Sequence, residues 1–196
     1  KTGYTFGGWY TDEACTQQWG FDIHDYVTDN MTLYAKWRIN QYSVTWNRNG
    51  GDRLVGTGYT TGGDYGTQIV APSAEMDADP QYSYTFDGWY TEAQGGEKVT
   101  DFGTLTGNVT YYAHWIRTVN QYTVKFWSDG SVVDSQTVDY NSYITAPTVS
   151  KTDYTLEGWY TDSSFASNTR WGFEGETVVQ DMNLYAKWTE ITYTHT

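Results

Sequence analysis

Apolar and polar residues alternate one by one along much of this chain. Met31, Leu33, Ala35 and Trp37 fall on one side of an extended run, with Thr32, Tyr34 and Lys36 on the other. Val109, Tyr111, Ala113 and Trp115 repeat the pattern against Thr110, Tyr112 and His114, as do Met182, Leu184, Ala186 and Trp188 against Asn183, Tyr185 and Lys187. A second alternating run places Tyr42, Val44 and Trp46 on one face, matched by Tyr122, Val124 and Phe126. A period of two predicts half-buried strands, and no stretch carries an amphipathic helix longer than one turn. That turn is expected in the short polar crossovers 73–80 and 148–153.

Turn residues separate the strands. Asn47 to Asp52 and Ser128-Asp129-Gly130 predict hairpins, because Asn-Gly and Asp-Gly accept positive φ at low cost. The returning strand is Gly-rich and irregular over 54–65 but regular over 132–140. Both copies then reach Ile-x-Ala-Pro, at Ile69 to Pro72 and Ile144 to Pro147, where Pro is expected to end a strand.

These runs recur as a unit. Gly-Trp-Tyr-Thr occurs at Gly8 to Thr11, Gly88 to Thr91 and Gly158 to Thr161, each after a Tyr-Thr run and each followed by a closing Trp: Trp37, Trp115 and Trp188. The chain therefore reads as tandem repeats. Residues 1–38 form the second half of a unit, 39–117 and 118–189 are full units, and 190–196 open a further one or form a tail. Linkers of two to four residues after each closing Trp leave little freedom between units, which predicts an elongated, semi-rigid rod. Small units need large side chains to make a core, and 10 Trp, 19 Tyr and 7 Phe supply them. Trp9, Trp89, Trp159, Trp37, Trp115 and Trp188 are assigned to that structural core.

A net charge of -13 argues against nucleic acid and anionic membrane surfaces as partners. No apolar run is long enough for membrane insertion. The single Cys15 allows no internal disulfide and reads as a small hydrophobe. His24, His114 and His195 fall at non-equivalent places and no nucleophile or metal motif is present, so no catalytic residue, metal or cofactor is assigned. Asp12-Glu13 and Asp77 with Asp79 fit no calcium loop and read as solvated charge. Asn30-Met31-Thr32 and Asn108-Val109-Thr110 match the glycosylation sequon by chance.

The order of an Asn-Gly-Gly or Asp-Gly hairpin, Ala-Pro, Tyr-Thr-Phe-x-Gly-Trp-Tyr-Thr, a Phe (Phe21, Phe102, Phe173) and Leu-Tyr-Ala-Lys-Trp resembles the Listeria-Bacteroides repeat, of which the internalin B repeat is an example. The resemblance implies a mainly β chain of small β-grasp-like units, each a four-stranded mixed sheet with at most one helical turn. It also implies export and display on a bacterial cell surface. The middle unit departs from the pattern at Tyr111-Tyr112-Ala113-His114.

Three functional readings follow. The first is a non-enzymatic stalk or adhesin segment. The second is a carbohydrate-binding module, because sugar rings stack on exposed aromatic faces. Trp127 faces away from the Phe126 side, Trp19 and Trp171 fall in a variable loop, and Tyr34, Tyr112 and Tyr185 recur on the outer strand face; these six are the candidate contacts for a glycan, a host protein or a neighbouring-cell surface protein. The third is head-to-tail self-association through the incomplete first unit.

Overall fold

The computed structural model describes residues 1–23 and 26–193. His24, His195 and the end of the 190–196 segment lie outside the described residues. The chain divides into two compact units, one made of Lys1–Met76 with Phe86–Ile116, the other of Asp77–Thr85 with Arg117–Thr196.

In the first unit, β1 (Tyr4–Tyr10), β2 (Gln18–Trp19) and β3 (Tyr34–Ile39) form a three-stranded sheet in the order β2-β1-β3. Next come β4 (Gln41–Asn47), β5 (Arg53–Val55), β6 (Gly62–Asp64), β7 (Ser73–Glu75), β8 (Tyr82–Tyr90) and β9 (Val109–Val119), of which β8 begins and β9 ends among residues of the second unit. A sheet of order β6-β4-β9-β8 is mixed, with β4 parallel to β9 and antiparallel to β6. The turn after β4 does not make the expected hairpin. The Asn49 side-chain amide donates to the carbonyls of Ala93 and Ala113 at 2.8 and 3.0 Å, and β5 pairs with β7 instead. The crossover expected to hold a helical turn thus holds a strand. Gly-rich sequence between β5 and β6 lets the return run leave the sheet and rejoin it late.

In the second unit, β10 (Gln121–Ser128), β11 (Ser131–Asp139), β12 (Tyr154–Tyr160) and β13 (Met182–Glu190) form a four-stranded mixed sheet of order β11-β10-β13-β12. The central pair is parallel and the outer pairs antiparallel. Here the hairpin is made, with Asp129 at φ 49° and Gly130 at φ 80°, the two positive values that a tight turn matched to strand twist requires. One 3-10 turn, Ser167–Thr169, lies between β12 and β13 rather than in a crossover.

Alternation decides burial in both units. Val44, Trp46, Trp89, Leu105, Tyr111 and Ala113 are buried together in the first; Val124, Phe126, Ile144, Trp159, Val178, Leu184 and Ala186 are buried in the second. Trp46 packs on Trp89 at 4.9 Å and Phe126 on Trp159 at 5.0 Å. Each first strand therefore covers the motif Trp of its own repeat. Ile69 and Ile144 belong to these clusters without lying in strands. The Ala-Pro backbone serves as an acceptor, since the Trp89 indole donates to the Pro72 carbonyl at 2.7 Å.

Residues 1–38 depart from the expected core. Trp89 and Trp159 are 3% and 2% exposed, whereas Trp9 and Trp37 are 39% and 40% exposed, with Phe6 and Met31 similar. The aromatic geometry is kept: Phe6 lies 5.5 Å from both Trp9 and Trp37, as Phe86 lies 5.4 and 5.6 Å from Trp89 and Trp115. What differs is the cover, because among the described residues no strand pairs with the outer edge of β3 as β4 pairs with β9 and β10 with β13. Trp115 and Trp188 are half-buried.

The joints between repeats are strands rather than linkers. β3 ends at Ile39 and β4 begins at Gln41; β9 ends at Val119 and β10 begins at Gln121. The intervening Asn40 donates its backbone N–H to the Gly3 carbonyl at 2.9 Å and accepts from Tyr65 N–H at 2.7 Å. Asn120 does the same with the Gln81 carbonyl and Tyr140 N–H, at 2.9 and 2.8 Å. Ile191 N–H donates to the Asp153 carbonyl at 2.8 Å, repeating half of this pattern.

Candidate functional site

Gly-Trp-Tyr-Thr organises the local structure three times. Its Thr closes a loop by backbone bonds: Thr11 N–H to Gln17, Thr91 N–H to Glu97 and Thr161 N–H to Thr169. The residue after that loop crosses the motif Gly. A Cβ on Gly88, at φ 146°, would meet Lys98 Cε at 2.8 Å, and one on Gly158 would meet Arg170 Nε at 2.9 Å. The chain also bulges there, with register shifts between Phe6 and Trp9 and between Leu156 and Gly158.

The motif Tyr faces the other way, onto the basic residue that precedes the closing Trp. Lys36 Nζ lies 4.8 Å from the Tyr10 ring, the His114 ring stacks on Tyr90 at 3.8 Å, and Lys187 Nζ lies 5.4 Å from the Tyr160 ring. An acid joins two of these stacks. Tyr90 donates its hydroxyl to Asp87, which also receives Lys98 at 2.9 Å. Glu157 receives Lys187 at 2.9 Å and the Tyr160 hydroxyl at 3.2 Å. The Tyr90 and Lys98 hydrogen bonds hold the Asp87 carboxyl below its ordinary value, and Lys187, then Tyr160, do so for Glu157. Lys98 and Lys187 are raised in return by the same carboxylates.

The acidic loops also have structural partners. Asp12 accepts the backbone N–H groups of Thr16 and Gln17, and Asp79 accepts those of Gln81 and Tyr82 together with the Tyr84 hydroxyl. Cys15 is half-buried with Sγ 3.7 Å from the Glu13 carbonyl.

Two of the six candidate contact residues are brought side by side in the second unit. Trp127 and Tyr185 occupy the same register on the parallel strands β10 and β13, their rings 6.5 Å apart and 26° from parallel. Both are half-buried. The Trp127 indole donates to Asn183 Oδ1 at 2.9 Å, which fixes the ring. These two rings line a groove of about 530 Å³ together with Tyr154, Phe165, Ser163, Asp129, Lys151 and Lys187. Its charges are compensated from within the unit: Lys151 lies 2.8 Å from Asp129 and 4.3 Å from the Tyr154 ring centre, while Lys187 is held by Glu157.

Trp171 lies beyond Tyr185, in a second hollow of about 440 Å³ that also takes in Thr161, Asp181, Asn183 and Tyr185. It is not a loop residue free to face solvent. Its backbone N–H donates to the Trp159 carbonyl at 2.8 Å, and its indole nitrogen is buried. Trp19 is placed in a strand, opposite Trp9 in the β1/β2 ladder, with Phe21 edge-on at 6.2 Å. Tyr34 pairs with Tyr10, and Tyr112 stands beside Asn47, which occupies in the first unit the register that Trp127 occupies in the second. Phe165, Lys151 and Ser163 carried no signal in the sequence, since they reach the groove from loops.

Among the described residues no group of His, Cys, Asp and Glu side chains could hold a metal ion, and no helix is long and apolar enough to cross a membrane.

The family model of the Listeria-Bacteroides repeat domain matches residues 1–36, 42–114 and 122–187. A protein of Evansella cellulosilytica provisionally named a Gly-rich membrane protein is 37% identical over 199 residues, covering 99% of this chain and 21% of its own length. A second from that organism, provisionally named a membrane protein, is 34% identical over 197 residues, covering 98% of this chain and 28% of its own length. Internalin H of Listeria monocytogenes is 34% identical over 123 residues, covering 61% of this chain and 20% of its own length. The chain thus spans between about a fifth and somewhat more than a quarter of these relatives.

Proposed function

The chain belongs to the Listeria-Bacteroides repeat domain family, and from that premise we propose that it is a non-enzymatic spacer segment of an extracellular bacterial surface protein, holding other modules away from the cell. Each repeat is a β-grasp-like unit, a reading supported by the order β11-β10-β13-β12 around a central parallel pair. The repeats are taken to follow the boundaries 1–38, 39–117, 118–189 and 190–196, arranged as an elongated rod. The observation that carries this reading is the joint: a single Asn separates the last strand of one repeat from the first strand of the next, and its backbone N–H and C=O are both bonded at Asn40 and at Asn120. A chain pinned on both sides at its joints resists bending, which a spacer needs and a flexible tether does not. Backbone NMR relaxation tests this. Asn40 and Asn120 are expected to show order parameters of about 0.85, as in strand interiors; values below about 0.6 overturn the reading.

The exposed Phe6, Trp9 and Trp37 favour a second reading, in which this face takes a strand from a neighbouring molecule head to tail. Sedimentation at rising concentration separates the two, since a spacer of this kind stays monomeric.

A further inference from the structure

We propose that the outer face of β10 and β13 is a binding platform for a neutral polysaccharide, with Trp127 and Tyr185 as the stacking surface. The inference deepens the carbohydrate-binding alternative raised from the sequence and is independent of the spacer reading. Four observations carry it. First, the two rings are adjacent on parallel strands, 6.5 Å apart and 26° from parallel, and both line the same groove, so they give it an aromatic wall. The axial C–H face of a pyranose packs on such a surface. Second, Trp127 is held in place by its own hydrogen bond to Asn183, so the platform exists before a ligand arrives and little entropy is lost in forming it. Third, the surface is bordered by groups that pair with hydroxyls: Ser163 and Asp129 on one side, Thr161, Asp181 and Asn183 on the other. Tyr185 lines the hollows on both of its sides, which suits a chain of several sugar rings rather than a single one.

The fourth observation selects the class of glycan. The two cations of the groove, Lys151 and Lys187, are already engaged by Asp129 and Glu157. An acidic polysaccharide would have to displace those carboxylates and approach a chain of net charge -13. A neutral one needs neither. The platform is also confined to one repeat, because Asn47 stands where Trp127 would be in the first unit.

Affinity gel electrophoresis of the whole chain tests the proposal, with a soluble β-1,4-glucan, a mannan and a galactan as neutral probes and alginate as the acidic one. Retardation by at least one neutral polysaccharide, unaffected by added salt, is expected, and Trp127→Asn is expected to abolish it in a chain that still unfolds cooperatively. Retardation by alginate alone, lost in salt, overturns the choice of a neutral ligand. No retardation by any probe, or full retardation of a folded Trp127→Asn variant, overturns the platform. Should that variant fail to fold, the indole N–H resonance of Trp127 in the parent chain decides: it must shift on titration with oligosaccharides of a retarding glycan, and a stationary resonance overturns the assignment. None of these outcomes bears on joint rigidity, so the spacer reading stands or falls separately.

Discussion

Trp89 and Trp9 occupy the same place in the repeat, keep the same contacts to a Phe and differ mainly in cover. That pair isolates what burial contributes. Trp89→Ala removes a side chain packed against Trp46 and Phe86 and bonded to the Pro72 carbonyl, so it is expected to destabilise the first unit by about 3 to 5 kcal/mol. Trp9→Ala, with 39% of the residue already exposed, is expected to cost less than half as much. Urea unfolding followed by tryptophan fluorescence compares them. A second residue-scale expectation concerns acid. The Asp87 and Glu157 carboxyls lie below their ordinary 3.8 and 4.5, so the folded state binds protons less readily than the unfolded chain. Their contribution is present above those values and is lost as pH falls through them toward the lower folded values. The unfolding temperature should therefore drop below about pH 4.5, and Asp87→Asn with Glu157→Gln should flatten that acid limb. An acid limb of unchanged steepness in the double variant would show that other carboxylates control it.

At the scale of elements, the contrast between the two hairpins shows what a turn sequence does and does not decide. Asp129-Gly130 closes β10 onto β11, and both residues need positive φ. Nothing lies within 4 Å of a Cβ placed on Gly130, so Gly130→Ala reports backbone strain alone, expected at about 1 to 2 kcal/mol by urea unfolding. Asn47 to Asp52 has equally good turn residues, yet β5 pairs with β7, because the amide of Asn49 is drawn to the carbonyls of Ala93 and Ala113. Local chemistry cannot reveal that choice, since the acceptors lie 44 and 64 residues away. The strands themselves were legible: alternation placed Val44, Trp46, Ala113, Val124, Phe126, Leu184 and Ala186 on the buried side. Cover was not: Trp37 follows the same alternation and Trp9 the same motif as their more buried counterparts while remaining exposed. Trp127 and Tyr185 were legible as outward residues, but their pairing needed the parallel register of β10 and β13, which no sequence period encodes. The joints were read as linkers of two to four residues after each closing Trp; in the structure β3 and β9 run on to Ile39 and Val119, and the Asn that follows is the bonded point between strands. Asn120→Ala deletes side-chain bonds to the Asp79 and Pro80 carbonyls at 2.7 and 3.3 Å. A loss of about 1 kcal/mol in the second unit is expected, with faster hydrogen exchange at the Asn120 and Tyr140 amides.

For the whole molecule, the relevant facts are few and point the same way. The family is one of bacterial surface repeats, the chain makes up a modest share of larger relatives, and the second repeat joint reuses the backbone bonding of the first. A spacer needs no active site, only units that fold by themselves and joints that hold direction. A glycan platform on one repeat is compatible with that role, because a segment held away from the wall is well placed to touch a neighbouring surface. The most direct test is small-angle X-ray scattering from the chain in dilute solution. The spacer account predicts an asymmetric pair-distance distribution with a long tail, the signature of an elongated particle. A symmetric distribution with the radius of gyration of a compact 196-residue globule, about 16 Å, would contradict it.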